Sequence, residues 1–275
     1  MRTVIRTSRR ALMPLATAAL VLGAWQTLAM TVTAVRGVDF PTPWATGQSL
    51  LRLLGGTNLA DRSIYRHVYD SLARWTAGFA VAAMGGILFG LLAGCRRGVE
   101  ELTMPIVHIL QLVPGLAWIP VALLLFGIGE RATVFMIAIT AFSPIAINVV
   151  SGVKRVDVTY VRAARMMGAA GPDLFTRVMI PGALPSILSG LRIGMGNSWR
   201  VLVAAEMVVG TGTGLGYAII QARWTLDYQA AFACVLIICL IGLVLERYVF
   251  SAIERITVDR WGLSHQSSFV SKTSR

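Results

Sequence analysis

The chain has 275 residues, of which 56% are hydrophobic and 14% charged, with a formal net charge of +12. So little polar surface cannot clothe a soluble globule of this length, which excludes a water-soluble enzyme or binding module and indicates a membrane protein. The positive balance would suit nucleic acid, but the arginines are scattered along the ends of apolar blocks, where membrane orientation accounts for them better.

Each apolar block is long enough to cross a hydrocarbon core about 30 Å thick, and backbone groups in lipid require such blocks to be helices. A first span is predicted within Ala11 to Val35; its uncharged run exceeds a secretory h-region, although the basic start MRTVIRTSRR resembles one. An external segment with Pro41-Thr42-Pro43 follows, then a polar or weakly amphipathic stretch ending near Arg74. Span two runs from Trp75 to Cys95 and is closed by Arg96 and Arg97. Span three lies between Glu101 and Glu130, span four between Arg131 and Lys154, and span six between Asp227 and Glu246.

Span five is weaker on hydropathy, because Arg192, Arg200 and Glu206 interrupt the run that begins near Leu184. Parity argues for it: basic residues near both ends of the chain favour cytoplasmic termini, which need an even number of crossings. With six crossings, sixteen of the 25 Lys/Arg residues fall inside (four, two, five and five along the chain) and six outside. Cys95, Cys234 and Cys239 sit in or at the ends of apolar blocks and read as packing residues, not a disulfide framework. Gln266 to Arg275 reads as a polar tail.

Between spans four and five lies a charged insert, residues 155–185, whose stretch from Tyr160 reads YVRAARMMGAAGPDLFTRVMIPGALP. Tyr160, Ala163, Ala164 and Met167 recur at the period of one helix face, while Arg162, Arg165 and Arg177 keep the segment out of hydrocarbon. Gly168 stands where this helix should stop, and Gly171-Pro172-Asp173 opens a second helical stretch. Pro181-Gly182 is expected to break that stretch before span five, leaving a helix-turn-helix elbow. Small Ala163 and Ala164 with adaptable Met166 and Met167 suit docking of a partner protein; a basic face on anionic lipid is the competing reading.

Inside the membrane, Arg200 and Glu206 are costly unless they face a water-filled path or pair across a subunit boundary. At i, i+6 they lie about 120° apart on a helix, too far round for a direct pair. Glu206, near the outer end, is also compatible with simple solvation. Pro114-Gly115 and Pro120 should bend or break span three, placing Gln111, Gly115 and Trp118 on one face, either along a path or in a packing kink. Gly190, Gly194 and Ser198 form a small-residue ridge for close helix packing. The run Gly210 to Gly216 reads as the external turn between spans five and six.

No GxxxxGK[ST] phosphate loop occurs, and His67, His108 and His265 have no metal-like neighbours in sequence. Catalysis and a bound cofactor within this chain are therefore not expected, and ATP chemistry would have to come from another polypeptide.

The insert resembles the coupling loop of bacterial ABC importer permeases, whose pattern is Glu-Ala-Ala, three residues, Gly, nine residues, then aliphatic-x-aliphatic-Pro. Ala163, Ala164, Gly168, Val178, Ile180 and Pro181 match it. PGLAWIP at Pro114, FGIGE at Phe126, PGALPSILSGLR at Pro181, AAEM at Ala204 and GLGY at Gly214 are similar to the nitrate/sulfonate/taurine branch, over residues 65–262.

This resemblance implies an all-α integral membrane subunit of the inner membrane with six transmembrane helices, a type I importer core and a cytoplasmic coupling helix. The N-terminal segment 1–64 and the tail 263–275 would lie outside that core. The resemblance also implies a second permease copy, two ATPase subunits that bind ATP and Mg, and an external solute-binding protein. The coupling role carries over to Ala163, Ala164 and Gly168, with Arg165, Met167 and Pro181 beside them. At the position of the family's Glu stands Arg162, a reversal of charge. The expected cargo is a small solute, in particular an anion such as nitrate, a sulfonate or taurine. An ATP-independent channel with a lipid-binding loop is the alternative.

Overall fold

The computed structural model describes residues 2–249; the expected polar tail, the domain boundary at 262/263, Arg255 and Arg260 lie outside them. Among the described residues two compact units are present, one formed by those up to His67 with Ala218–Ile238, the other by Val68–Tyr217 with those from Cys239 to Val249. The first unit thus takes in residues 218–238, which lie inside the 65–262 stretch that carries the sequence resemblance.

In the first unit, α1 (Arg2–Arg36) is followed by α2 (Pro43–Leu54), whose start combines Pro43 at a first-turn position with a Thr42 cap accepting from the Ala45 amide at 3.2 Å. Trp25 donates to the Pro41 carbonyl at 2.9 Å and stacks on Phe232, 5.8 Å between ring centres. A hairpin of β1 (Asn58–Leu59) and β2 (Arg62–Ser63) turns through Ala60 and Asp61, both at positive φ.

The second unit is built around α6 (Glu130–Lys154). One side of α6 packs on α3 (Ile64–Cys95) and another on α9 (Ile180–Val209), through a cluster that includes Leu91, Ile145, Val149 and Ile187. The approach depends on glycine. A Cβ at Gly78 would lie 2.7 Å from Ile137 Cβ, one at Gly190 2.8 Å from Asn148 Cβ, and one at Gly194 2.9 Å from Ile145 Cγ1. The predicted ridge on span five is thus the surface that meets α6, with Ser198 buried beside it.

Five helices among the described residues are long and apolar enough to cross a membrane: Leu15–Arg36, Ile64–Cys95, Glu130–Lys154, Pro172–Val209 and Tyr228–Tyr248. The pair α4 (Arg97–Leu112) and Gly115–Phe126, bent by 102° at its break, makes the sixth when taken as one span. Pro114 thus breaks span three as predicted; a 3-10 turn (Gly115–Trp118) leads into α5 (Ile119–Phe126), where Pro120 sits harmlessly in the first turn.

Two sequence expectations need correction. Span two starts at Ile64 and not at Trp75, because four of the polar residues before Trp75, namely His67, Asp70, Ser71 and Arg74, are buried in helix, with Ser71 and Arg74 hydrogen-bonded inside the second unit. Helix also continues through Pro181: Pro172–Leu174 (α8) passes through a π turn, Phe175–Met179, directly into α9. In that turn the Ile180 amide reaches back to the Phe175 carbonyl, a register in which a missing Pro181 N–H breaks no regular ladder.

Candidate functional site

The insert forms α7 (Val158–Met166), capped by Asp157, whose carboxylate accepts from the Thr159 amide at 2.8 Å. That backbone bond, on a fully exposed carboxyl, holds Asp157 below the ordinary carboxylate range. Gly168, at φ +88°, ends the helix as predicted. Behind it, Phe175, Met179 and Ile180 pack against the core cluster of α3, α6 and α9, so the joint is rooted in the body of the unit.

The predicted face divides in two. Ala164 is buried and Ala163 half-buried, so this small-residue part of the face is covered by the chain itself. Tyr160, Arg162, Arg165, Met166 and Met167 are exposed, and among the described residues neither arginine is ion-paired. Pro181 is half-buried at the root of α9.

A cavity of about 340 Å³ opens where span three breaks. Its wall includes Gln111, Pro114, Gly115, Thr140, Asn197 and Arg200, and no acidic residue. Gln111 and Arg200 are therefore brought together, whereas Trp118 turns away to meet Phe135 edge-on, 6.5 Å between ring centres. The glycine at 115 lets the 3-10 turn press against Val201 and Thr140. Among the described residues the Gln111, Asn197 and Arg200 side chains have no protein partner, leaving a donor-rich wall with one fixed positive charge.

Glu206 is neither solvated nor on this cavity: it is fully buried. Arg74 Nη1 donates to it at 2.8 Å, Ser71 Oγ lies 2.8 Å from Oε2, and the Gly216 amide donates at 3.0 Å. The Leu215 amide in turn donates to Ser71 Oγ at 2.8 Å. Arg74 further binds the Thr213 carbonyl at 2.9 Å, Thr213 Oγ1 at 2.7 Å and Glu130 at 3.3 Å. A Cβ at Gly214 would overlap the Glu206 carboxylate. The Gly210–Gly216 run is accordingly a wrapping for a buried charge as well as a turn. Sequence reasoning missed Ser71, Arg74 and Thr213; the available signal was the spacing of AAEM and GLGY, which brings one carboxylate to a glycine loop.

A broken span beside a cavity, two helices rooted in an exposed capped elbow and a buried lock together describe a translocation subunit. The family described as the binding-protein-dependent transport system inner membrane component matches residues 86–256. The chain belongs to this family. It is 43% identical over 195 residues, 71% of each chain, to a putative ABC transporter permease protein of Methanocaldococcus jannaschii. It is 33% identical to the taurine transport system permease protein of Escherichia coli, covering 91% of this chain and 90% of that one. To the nitrate import permease protein of Synechocystis the identity is 32%, with 88% of each covered. The fold of this importer permease is similar to that of a chain from the MetNI methionine ABC transporter, solved in inward-facing conformations, with a TM-score of 0.58 at 21% identity over 70% of this chain and 95% of the other. It is an all-α, multi-pass permease subunit of an ABC importer, of the nitrate/sulfonate/taurine branch.

Proposed function

We propose that this permease conducts a small oxyanion or sulfonate, delivered by an external solute-binding protein, through a path formed with a second copy of the chain. The observation that carries the reading is Arg200, a permanent cation on a cavity lined with amide donors and free of carboxylates. That the taurine and nitrate permeases are relatives supports the same cargo class. ATP and Mg would be bound by two separate ATPase subunits, docking on the exposed Arg162, Arg165, Met166 and Met167 surface of α7, with both termini in the cytoplasm. The basic surface calls for an acidic or neutral groove on the ATPase. ATP binding would then move α7 as a lever and open the cavity outward; hydrolysis would reset it.

The test is uptake of labelled nitrate, taurine and bicarbonate by cells carrying the complete transporter. Arg200→Gln should lower uptake of the preferred anion about 10- to 100-fold, the worth of one charge-assisted hydrogen bond, without loss of folded protein. Uptake that persists after deletion of the ATPase would support the channel alternative instead.

A further inference from the structure

The Arg74 cluster treats its two carboxylates differently. Glu206 is fully buried, bound at 2.8 Å and wrapped by Ser71 and the Gly216 amide. Glu130 is 73% exposed and meets Arg74 once, at 3.3 Å. The first is a fixed anchor between α3 and α9, reinforced one residue on, where Trp75 Nε1 donates to Ser198 at 3.1 Å. The second is a contact that water competes for.

Glu130 begins α6 directly after Gly127-Ile128-Gly129, with φ of +70° at Gly127 and +140° at Gly129, conformations that need glycine. This connection is the root of α5, and α5 continues from the 3-10 turn that walls the Arg200 cavity. α5 packs on α6 and α9 through Ala122, Met136, Val201 and Ala205, and the end of the broken segment is jointed at these two glycines. We infer that Arg74 is a positioning residue for transport: through Glu130 it fixes the hinge of α5, and with it the wall of the cavity. Glu206 holds the arginine in place for that task. This rests on the reading that the cavity belongs to the path.

Hydrogen exchange on the purified, full-length permease, together with uptake by the complete transporter, tests it. In Glu130→Gln, exchange should rise several-fold within residues 113–130 and stay unchanged within 210–216, with the melting temperature preserved and the KM for uptake raised several-fold. Arg74→Lys leaves the carboxylate at the start of α6 but cannot present two guanidinium edges; it should loosen 113–130 equally and 210–216 as well. Exchange that stays at wild-type level in 113–130, or rises equally in both segments of Glu130→Gln, overturns the hinge. Exchange as expected with unaltered uptake leaves the hinge standing and removes the cavity from the path.

Discussion

Arg74 and Arg162 carry the same guanidinium in opposite circumstances. Arg74 is buried and gives its terminal nitrogens to Glu206, Glu130 and both oxygens of Thr213. Arg162 stands on an exposed helix and, among the described residues, gives its own to none. The difference separates two uses of charge in one membrane subunit: at the glycine loop it is consumed in holding helices together, whereas at α7 it is left available. A charge buried without its partner is expensive, while a solvated one costs almost nothing until something docks.

The comparison is broken most sharply at Glu206. Removing its carboxylate by Glu206→Ala leaves the buried Arg74 with only the exposed Glu130 as a counter-charge, a loss of about 3–5 kcal/mol that should appear as a large drop in melting temperature in detergent and in membrane yield. Gly214→Ala comes next, at about 2–3 kcal/mol, since φ is +117° there and the added methyl group would overlap the Glu206 carboxylate; thermal unfolding reads it directly.

Changes at the elbow should leave global stability alone. Asp157→Ala should raise amide exchange across α7 while the melting temperature holds. Because the Asp157 pKa lies below its ordinary value, its capping contribution is fully present above the ordinary carboxylate range and is lost only as pH falls through the lowered value. Protection of α7 in the wild type should therefore be flat from neutrality down to about pH 5 and fade only in stronger acid. The smallest effect on the fold belongs to Arg162→Glu: the melting temperature should be unchanged while co-purification of the ATPase falls. Equal or improved co-purification would sink the idea that the partner's groove is acidic or neutral.

These contrasts explain what was legible in the amino-acid order. The spans, the break at Pro114, the stop at Gly168 and the ridge of Gly190 and Gly194 are written within a few residues of one another, so periodicity and backbone chemistry reveal them. Ser71 and Arg74 lie 135 and 132 positions from Glu206, and nothing local marks them as partners. Ala164 shows a different limit: a small residue on an amphipathic face permits close approach from either side, and Ala164 is buried within its own chain. Pro181 failed as a breaker because the rule assumes an α-helical ladder, which the π turn replaces.

That π turn also bears on how this chain tolerates change in length. A π turn holds one residue more than the α-helix it interrupts, so every side chain of α9 is set about 100° round from where an unbroken helix would put it. Deleting any one of Phe175 to Met179 would straighten the run and rotate the whole of α9 by that angle. Gly190 and Gly194 would swing off α6, Arg200 would leave its cavity, and Glu206 would lose Arg74. The distance from Gly168 to Pro181, which serves as a signature in the sequence, thus acts as a phase setting: substitutions within it are negotiable, whereas a single-codon deletion there is predicted to abolish the subunit.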